Sequence, residues 1–86
     1  MPHWVYILRS EATGELYIGE TRDPDRRLAY HNRGLSRFTR SRGPWRLAYK
    51  EAFATRRDAI RRERQLKAWK SRKAIEELID RKAITC

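Results

Sequence analysis

The sequence predicts an α+β fold with the element order β-β-α-β-α-α. Three observations carry this. Two runs rich in strand formers, Val5-Tyr6-Ile7-Leu8 and Leu16-Tyr17-Ile18-Gly19, lie either side of a polar segment ending in Thr13-Gly14-Glu15. Asp23-Pro24 is a helix-start pair, and Gly34 is the matching stop. A third alternating run, Trp45 to Lys50, precedes a long amphipathic stretch that opens at Thr55.

The first two runs pair as an antiparallel hairpin, for which Thr13-Gly14 is the turn signal. Successive strand residues face opposite ways, so with Val5 and Ile7 inward, Tyr6 takes the other face. Leu16 and Ile18 likewise share one face and Tyr17 takes the opposite one, which allows both phenols on the same side. The helix after Asp23 runs from about 24 to 33 and places Arg27 and His31 at i and i+4, one turn apart. Two potential cations stacked this way repel mildly, and a facing anion would relieve them. The plainer reading of each tyrosine is an ordinary strand residue, and of His31 a surface histidine near a helix C-terminus.

Residues 35–44 show no apolar period, and Arg37, Arg40 and Arg42 alternate with Phe38, Thr39 and Ser41. This pattern predicts a flexible loop that contacts phosphate. Phe38 is read as the anchor of the loop in preference to a base-stacking residue. Trp45, Leu47 and Tyr49 fall on one side of a third strand placed against the hairpin.

The long helix is expected from 56 to about 70, with Thr55 as its cap and Asp58 completing a capping box. At about 100° per residue, Ala59, Glu63 and Leu66 fall on one line, flanked by Ile60 and Trp69. Arg57, Arg61, Arg64 and Arg72 fall opposite. Glu63 is thus a carboxylate in an inward stripe, where an unpartnered charge is costly. It is either half of an internal salt bridge to an arginine or a metal ligand. A last helix starts at Ser71 with Ile75, Leu78 and Ile79 on its apolar edge, and the tail from Arg81 to Cys86 is expected to fray.

Composition bounds what these elements can do. A chain of 86 residues makes one domain (residues 1–86) and buries about 60–65% of its unfolded surface, which leaves one modest core. Chemistry then sits on an open face, suited to a polymer. The net charge is +10; residues 1–34 hold five basic and five acidic side chains, and residues 35–86 hold sixteen and six. The basic excess in the second part attracts polyanions, nucleic acid being the commonest, although a merely solvated basic surface is the bland alternative. Cys86 is the single cysteine, so no internal disulfide forms and no Cys/His set exists for structural zinc. No signal peptide and no apolar run of membrane-spanning length is seen, which predicts a cytoplasmic protein without membrane partners.

Taken together, these motifs resemble the GIY-YIG nuclease family, and in particular its small stand-alone bacterial (UPF0213-like) members. Trp4-Val5-Tyr6 stands at the first signature and Tyr17-Ile18-Gly19 matches the second. Arg27-Leu28-Ala29-Tyr30-His31 is similar to the family's Arg-x-x-x-His helix, and residues 59–69 resemble the helix carrying its metal-binding glutamate. Trp4 and Val5 replace a glycine and an isoleucine of the first signature, no asparagine follows Glu63, and Glu20 adds a carboxylate beside the second signature.

The resemblance implies a three-stranded, mainly antiparallel sheet flanked by helices. It also implies metal-dependent hydrolysis of a nucleic-acid phosphodiester, with DNA favoured over RNA. Glu63 would hold one Mg²⁺ or Mn²⁺ ion, and Arg27 would stabilise charge on the phosphoryl oxygens. Tyr6 would take a proton from the attacking water, Tyr17 would support positioning, and His31 would bind or orient near the phosphate. A phenol with a pKa near 10 needs neighbouring positive charge for that role, which Arg27 and the metal would supply. Arg37, Arg40, Arg42, Arg61, Arg64 and Lys67 would contact nucleic acid, and a protein partner would supply specificity. The alternative is a non-catalytic nucleic-acid-binding module on the same scaffold.

Overall fold

Local sequence sets the six elements of the structure, a computed structural model that describes residues 2–84. They are β1 (His3–Ser10), β2 (Leu16–Thr21), α1 (Pro24–Asn32), β3 (Trp45–Phe53), α2 (Arg56–Ala68) and α3 (Arg72–Ile84). The α+β order expected from the sequence holds. Both ladders are antiparallel and the sheet order is β2-β1-β3, so β1 is central and β2 forms an edge.

The helix starts follow their capping residues. Asp23 accepts a hydrogen bond from Arg26 N at 3.1 Å, and Thr55 accepts one from Asp58 N at 3.2 Å. α1 closes on Gly34 at φ 75°, whose N–H donates to His31 O. α2 ends two residues before the expected 70, and Arg72 belongs to α3, outside the α2 stripe in which periodicity places it. α3 continues to Ile84 instead of fraying from Arg81; the expected fraying of Thr85 and Cys86 lies outside the described residues.

The sheet carries an apolar cluster on each face. Val5, Ile7 and Tyr49, with Leu16 and Ile18, pack against Ala59 and Leu66 of α2 and Ile75 and Ile79 of α3. Tyr6, Leu8 and Trp45, with Tyr17 and Leu47, pack with Leu28 of α1. The expectation that Trp45, Leu47 and Tyr49 share one side is therefore wrong. Ile7 pairs with Tyr49 but Leu8 pairs with Leu47, so Ala48 is an extra residue in β3. One inserted residue reverses the alternation, because the side-chain period of a strand is two.

The loop over residues 37–44 is held at both ends. Asn32 accepts from Trp45 N at 2.7 Å and donates to Trp45 O at 2.9 Å, which extends the pairing of β3 beyond the sheet. Glu11 N donates to Pro44 O, and Ser10 Oγ donates to Arg42 O. Opposite these ties, α3 is clamped to the hairpin: Arg9 bonds both carboxylate oxygens of Glu76, and Arg72 donates to Gly14 O.

Candidate functional site

The site grows from Tyr6, which β1 places on the α1 face, and from His31, which α1 turns toward the sheet. Tyr6 Oη lies 3.1 Å from His31 Nε2, and His31 Nδ1 lies 2.7 Å from Thr39 Oγ1. All three residues are buried, His31 with 3% and Thr39 with 0% of its surface exposed. Thr39 is fixed in turn by Trp45, whose indole N–H donates to Thr39 O at 2.9 Å. The result is one chain of hydrogen bonds from phenol to imidazole to hydroxyl. The loop that looked flexible in sequence is pinned at its centre.

Electrostatics sets the protonation along this chain. Burial, with Arg27 second, holds the His31 imidazole below its ordinary pKa of 6.5, so it is neutral at pH 7 and has one nitrogen free to accept. In the tautomer with Nδ1–H donating to Thr39 Oγ1, Nε2 accepts from Tyr6. The Tyr6 phenol is pushed well above its usual range, first by burial and next by Tyr17; Arg27 opposes this, while Glu63 and Glu20 add to it. This corrects the expectation that positive charge lowers the Tyr6 pKa. Arg27 does act in that direction, but desolvation outweighs it.

Gly19 is required by the same geometry. It sits opposite Tyr6 in the β1–β2 register, and a Cβ built on it would stand 2.5 Å from Tyr6 Oη and 2.6 Å from Tyr6 Cζ. The phenol crosses a gap that only glycine leaves. Tyr17 lies beside the chain with its ring 4.8 Å from that of His31 and 6.3 Å from that of Tyr6. Both phenols share one face, as alternation predicts. Arg27 stacks over Tyr30 at 5.1 Å and lines a hollow of about 320 Å³ with Thr21, Arg22, Asp23, Arg26 and Tyr30. Its guanidinium forms no hydrogen bond with the described residues, which leaves its donors available to a phosphate.

A family model for the GIY-YIG catalytic domain matches residues 2–76. The chain belongs to the GIY-YIG family. Membership places it among nuclease domains that act on nucleic acid. It is 43% identical over 72 residues to a UPF0213 protein of Bacillus pumilus, covering 83% of this chain and 72% of that one. A UPF0213 protein of Staphylococcus saprophyticus is 34% identical over 74 residues, covering 85% and 89%. The solution structure of a UPF0213 protein from Bacillus halodurans superposes with a TM-score of 0.59 at 41% identity, covering 93% of this chain and 84% of the other. The chain is thus similar to small bacterial GIY-YIG proteins.

The GIY-YIG motifs place Glu63 on α2, and the structure puts it at the flank of the buried stripe. Its side chain is 20% exposed, it pairs with Lys67 at 2.8 Å, and its charge reaches Tyr6. The internal bridge to an arginine expected for it is not formed; its partner is instead a lysine one turn on, in an exposed pair on the helix surface. No group of three or more His, Cys, Asp or Glu side chains converges among the described residues. A single accessible carboxylate beside a basic surface suits Mg²⁺, which keeps most of its waters and takes substrate phosphate as further ligand. Glu20 is engaged elsewhere: it pairs with His3 at 3.3 Å and with Arg56 at 3.4 Å.

The basic residues divide. Among the described residues, Arg37, Arg40, Arg61 and Arg64 form no side-chain hydrogen bond or ion pair, and Arg57, Arg61 and Arg64 line one hollow on the outer face of α2. Arg42 is committed, donating to Phe38 O and pairing with Glu15 at 3.2 Å. Phe38 does not anchor the loop; it is 62% exposed, and the anchor is the adjacent Thr39. Thr39 is the site residue that sequence reasoning missed. Its only signal was a β-branched hydroxyl amid arginines, and its role depends on Trp45 and His31, which local pattern does not connect to it.

Proposed function

We propose that this protein is a metal-dependent endonuclease that hydrolyses phosphodiester bonds of nucleic acid, DNA in preference to RNA, with structure selectivity or low specificity. The hydrogen-bond chain Tyr6–His31–Thr39, with Arg27 and Glu63 beside it, carries this reading. A neutral phenol accepts a proton only if it passes its own on. Here the attacking water gives a proton to Tyr6 Oη as Tyr6 gives its proton to His31 Nε2. The water oxygen bonds to phosphorus and the opposite ester bond breaks. Arg27 stabilises the charge on the phosphoryl oxygens, and Tyr17 packs the phenol and imidazole in place. Glu63, released from Lys67, would hold the Mg²⁺ or Mn²⁺ ion, which supplies charge neutralisation at the scissile phosphate and the departing oxygen. Arg37, Arg40, Arg61 and Arg64 hold the polyanion, and Lys67 joins them once freed. A protein partner would supply specificity, and repair of DNA is the setting such an activity fits.

One observation favours a second reading, a binding module without turnover: Glu63 is closed on Lys67 in this structure. Cleavage decides between them. Purified protein with Mg²⁺ is incubated with linear, flapped, branched and single-stranded DNA and with short RNA. Tyr6→Phe and Glu63→Ala are expected to lower the rate by roughly 10²-fold or more. Binding without metal-dependent cleavage, or cleavage indifferent to both substitutions, refutes the catalytic reading.

A further inference from the structure

The edge strand β2 borders a groove of about 670 Å³ whose apolar floor the proposed chemistry does not use. Leu16, Ile18, Leu66 and Ile75 form its apolar floor and Phe38 and Tyr17 one wall; its rim is basic on balance, with Lys67, Lys70 and Arg72 against Glu15, although Lys67 and Arg72 are paired with Glu63 and Glu76. One aromatic cluster orders this lip. Phe38 is 62% exposed, yet it is held between the buried Thr39 and the Arg42 guanidinium, which lies 5.1 Å over the ring, with the Tyr17 ring 6.0 Å away.

We infer that this groove is a subsite for an unpaired nucleobase next to the scissile phosphodiester, with Phe38 as its stacking platform. The inference rests on the nuclease reading above and adds to it a residue that selects strand state. The occupant follows from charge and position. A basic rim on a chain of net charge +10 recruits a polyanion. An aromatic ring at the mouth of an apolar slot offers a base the two things it seeks on leaving water, a π-face and cover. Tyr17 belongs to both the groove and the site, its ring 4.8 Å from that of His31 and 6.0 Å from that of Phe38, which sets the slot beside the proposed chemistry. A base paired within a duplex cannot enter the slot. Because Phe38 is already fixed, stacking costs little ordering of the protein.

Binding is measured by fluorescence anisotropy without divalent metal, using a labelled short single-stranded DNA and a blunt duplex of the same sequence. Phe38→Ala is expected to weaken single-strand binding by roughly 5- to 100-fold, to leave its salt dependence unchanged, and to leave duplex binding unchanged. Phe38→Trp should retain the affinity, and 2-aminopurine fluorescence in the single strand should be quenched by the native protein but not by Phe38→Ala. Equal losses on both DNAs, no loss on either, or selective capture of an acidic apolar peptide with DNA binding unchanged overturns the inference. Cleavage with Mg²⁺ is followed in parallel. Cleavage by the native protein with no Phe38 effect on binding sinks the subsite alone; Phe38-dependent binding without cleavage sinks the nuclease reading and leaves the subsite standing.

Discussion

Replacing Gly19 by alanine tests whether the second signature exists to make room for the phenol. The added Cβ would meet Tyr6 Oη at 2.5 Å, Cζ at 2.6 Å and Cε1 at 2.9 Å, whereas ordinary carbon contacts begin near 3.4 Å. The ring must therefore retreat by roughly 1 Å, which pulls Tyr6 Oη from His31 Nε2. Two energies oppose each other in the folded state. Alanine is better than glycine in a strand by about 0.5–1 kcal/mol, and overpacking costs about 1–3 kcal/mol. The net loss is about 1 kcal/mol, small enough for the protein to stay folded in urea titration. Activity is more sensitive, since a shift of about 1 Å in a reacting group costs roughly 10²-fold. A double-mutant cycle isolates the cause. With Tyr6→Ala as background there is no ring to displace, so Gly19→Ala should be neutral or stabilising there, giving a coupling energy of about 1–3 kcal/mol. Equal destabilisation by Gly19→Ala in both backgrounds refutes the steric account.

Two further outcomes follow from charge and hydrogen bonding. The Arg9 guanidinium holds the Glu76 carboxyl below its ordinary pKa of 4.5, so this pair stabilises the fold above that value and the contribution disappears as pH falls through the folded pKa. Glu76→Gln should cost about 1 kcal/mol at pH 7, reduced by the partial exposure of the pair, and urea unfolding across the acid range should then show a shallower loss of stability than the native protein. Burial holds His31 below 6.5, so it stabilises the fold above the unfolded value and that contribution declines as pH falls from there; on the proposed nuclease reading, cleavage is expected to persist below 6.5 and to fall only as pH passes the lowered folded-state pKa, because imidazolium cannot accept from Tyr6. Thr39→Val should leave Nδ1 unpaired, cost about 1–3 kcal/mol and lower kcat more than it raises KM, with Thr39→Ser restoring both. Imidazole nitrogen chemical shifts, which report the tautomer, should move in Thr39→Val and return in Thr39→Ser.

What the sequence made legible was what neighbouring residues decide. Asp23, Thr55 and Gly34 act within a turn of their own helices, and the expected ends fall within two residues of those observed. Alternation likewise put Tyr6 and Tyr17 on one face. The failures all lie where distant parts of the chain decide. The bulge at Ala48 depends on how β3 registers against β1, and nothing within residues 45–50 announces it. Phe38 was given the anchoring place that Thr39 holds, because an exposed aromatic and a buried hydroxyl invert the usual preference. That inversion is sustained by the Trp45 indole and the His31 imidazole. Glu63 was half read: periodicity put it on the inward line, and the structure moves it to the flank where it reaches both Lys67 and solvent.

The bulge matters to the chemistry more than to the core. Had β3 alternated without interruption, Trp45 would share the face of Tyr49 and pack beneath α2 and α3. Its indole could not then reach Thr39 O, and a fully buried loop carbonyl would lose its partner. The inserted residue turns Trp45 and Leu47 to the α1 face, where Trp45 fixes Thr39, Thr39 sets the His31 ring, and His31 holds the Tyr6 phenol over Gly19. The orientation of the first tyrosine thus depends on a register shift in the strand on the far side of β1 from Gly19. Each link uses a group that burial would leave unsatisfied if the next were absent, so loss of one link is expected to weaken the others. The same links hold the loop at its centre while Arg37 and Arg40 on its surface form no side-chain hydrogen bond or ion pair among the described residues, and on the proposed nuclease reading the fixed Tyr6–His31 distance is what proton transfer requires.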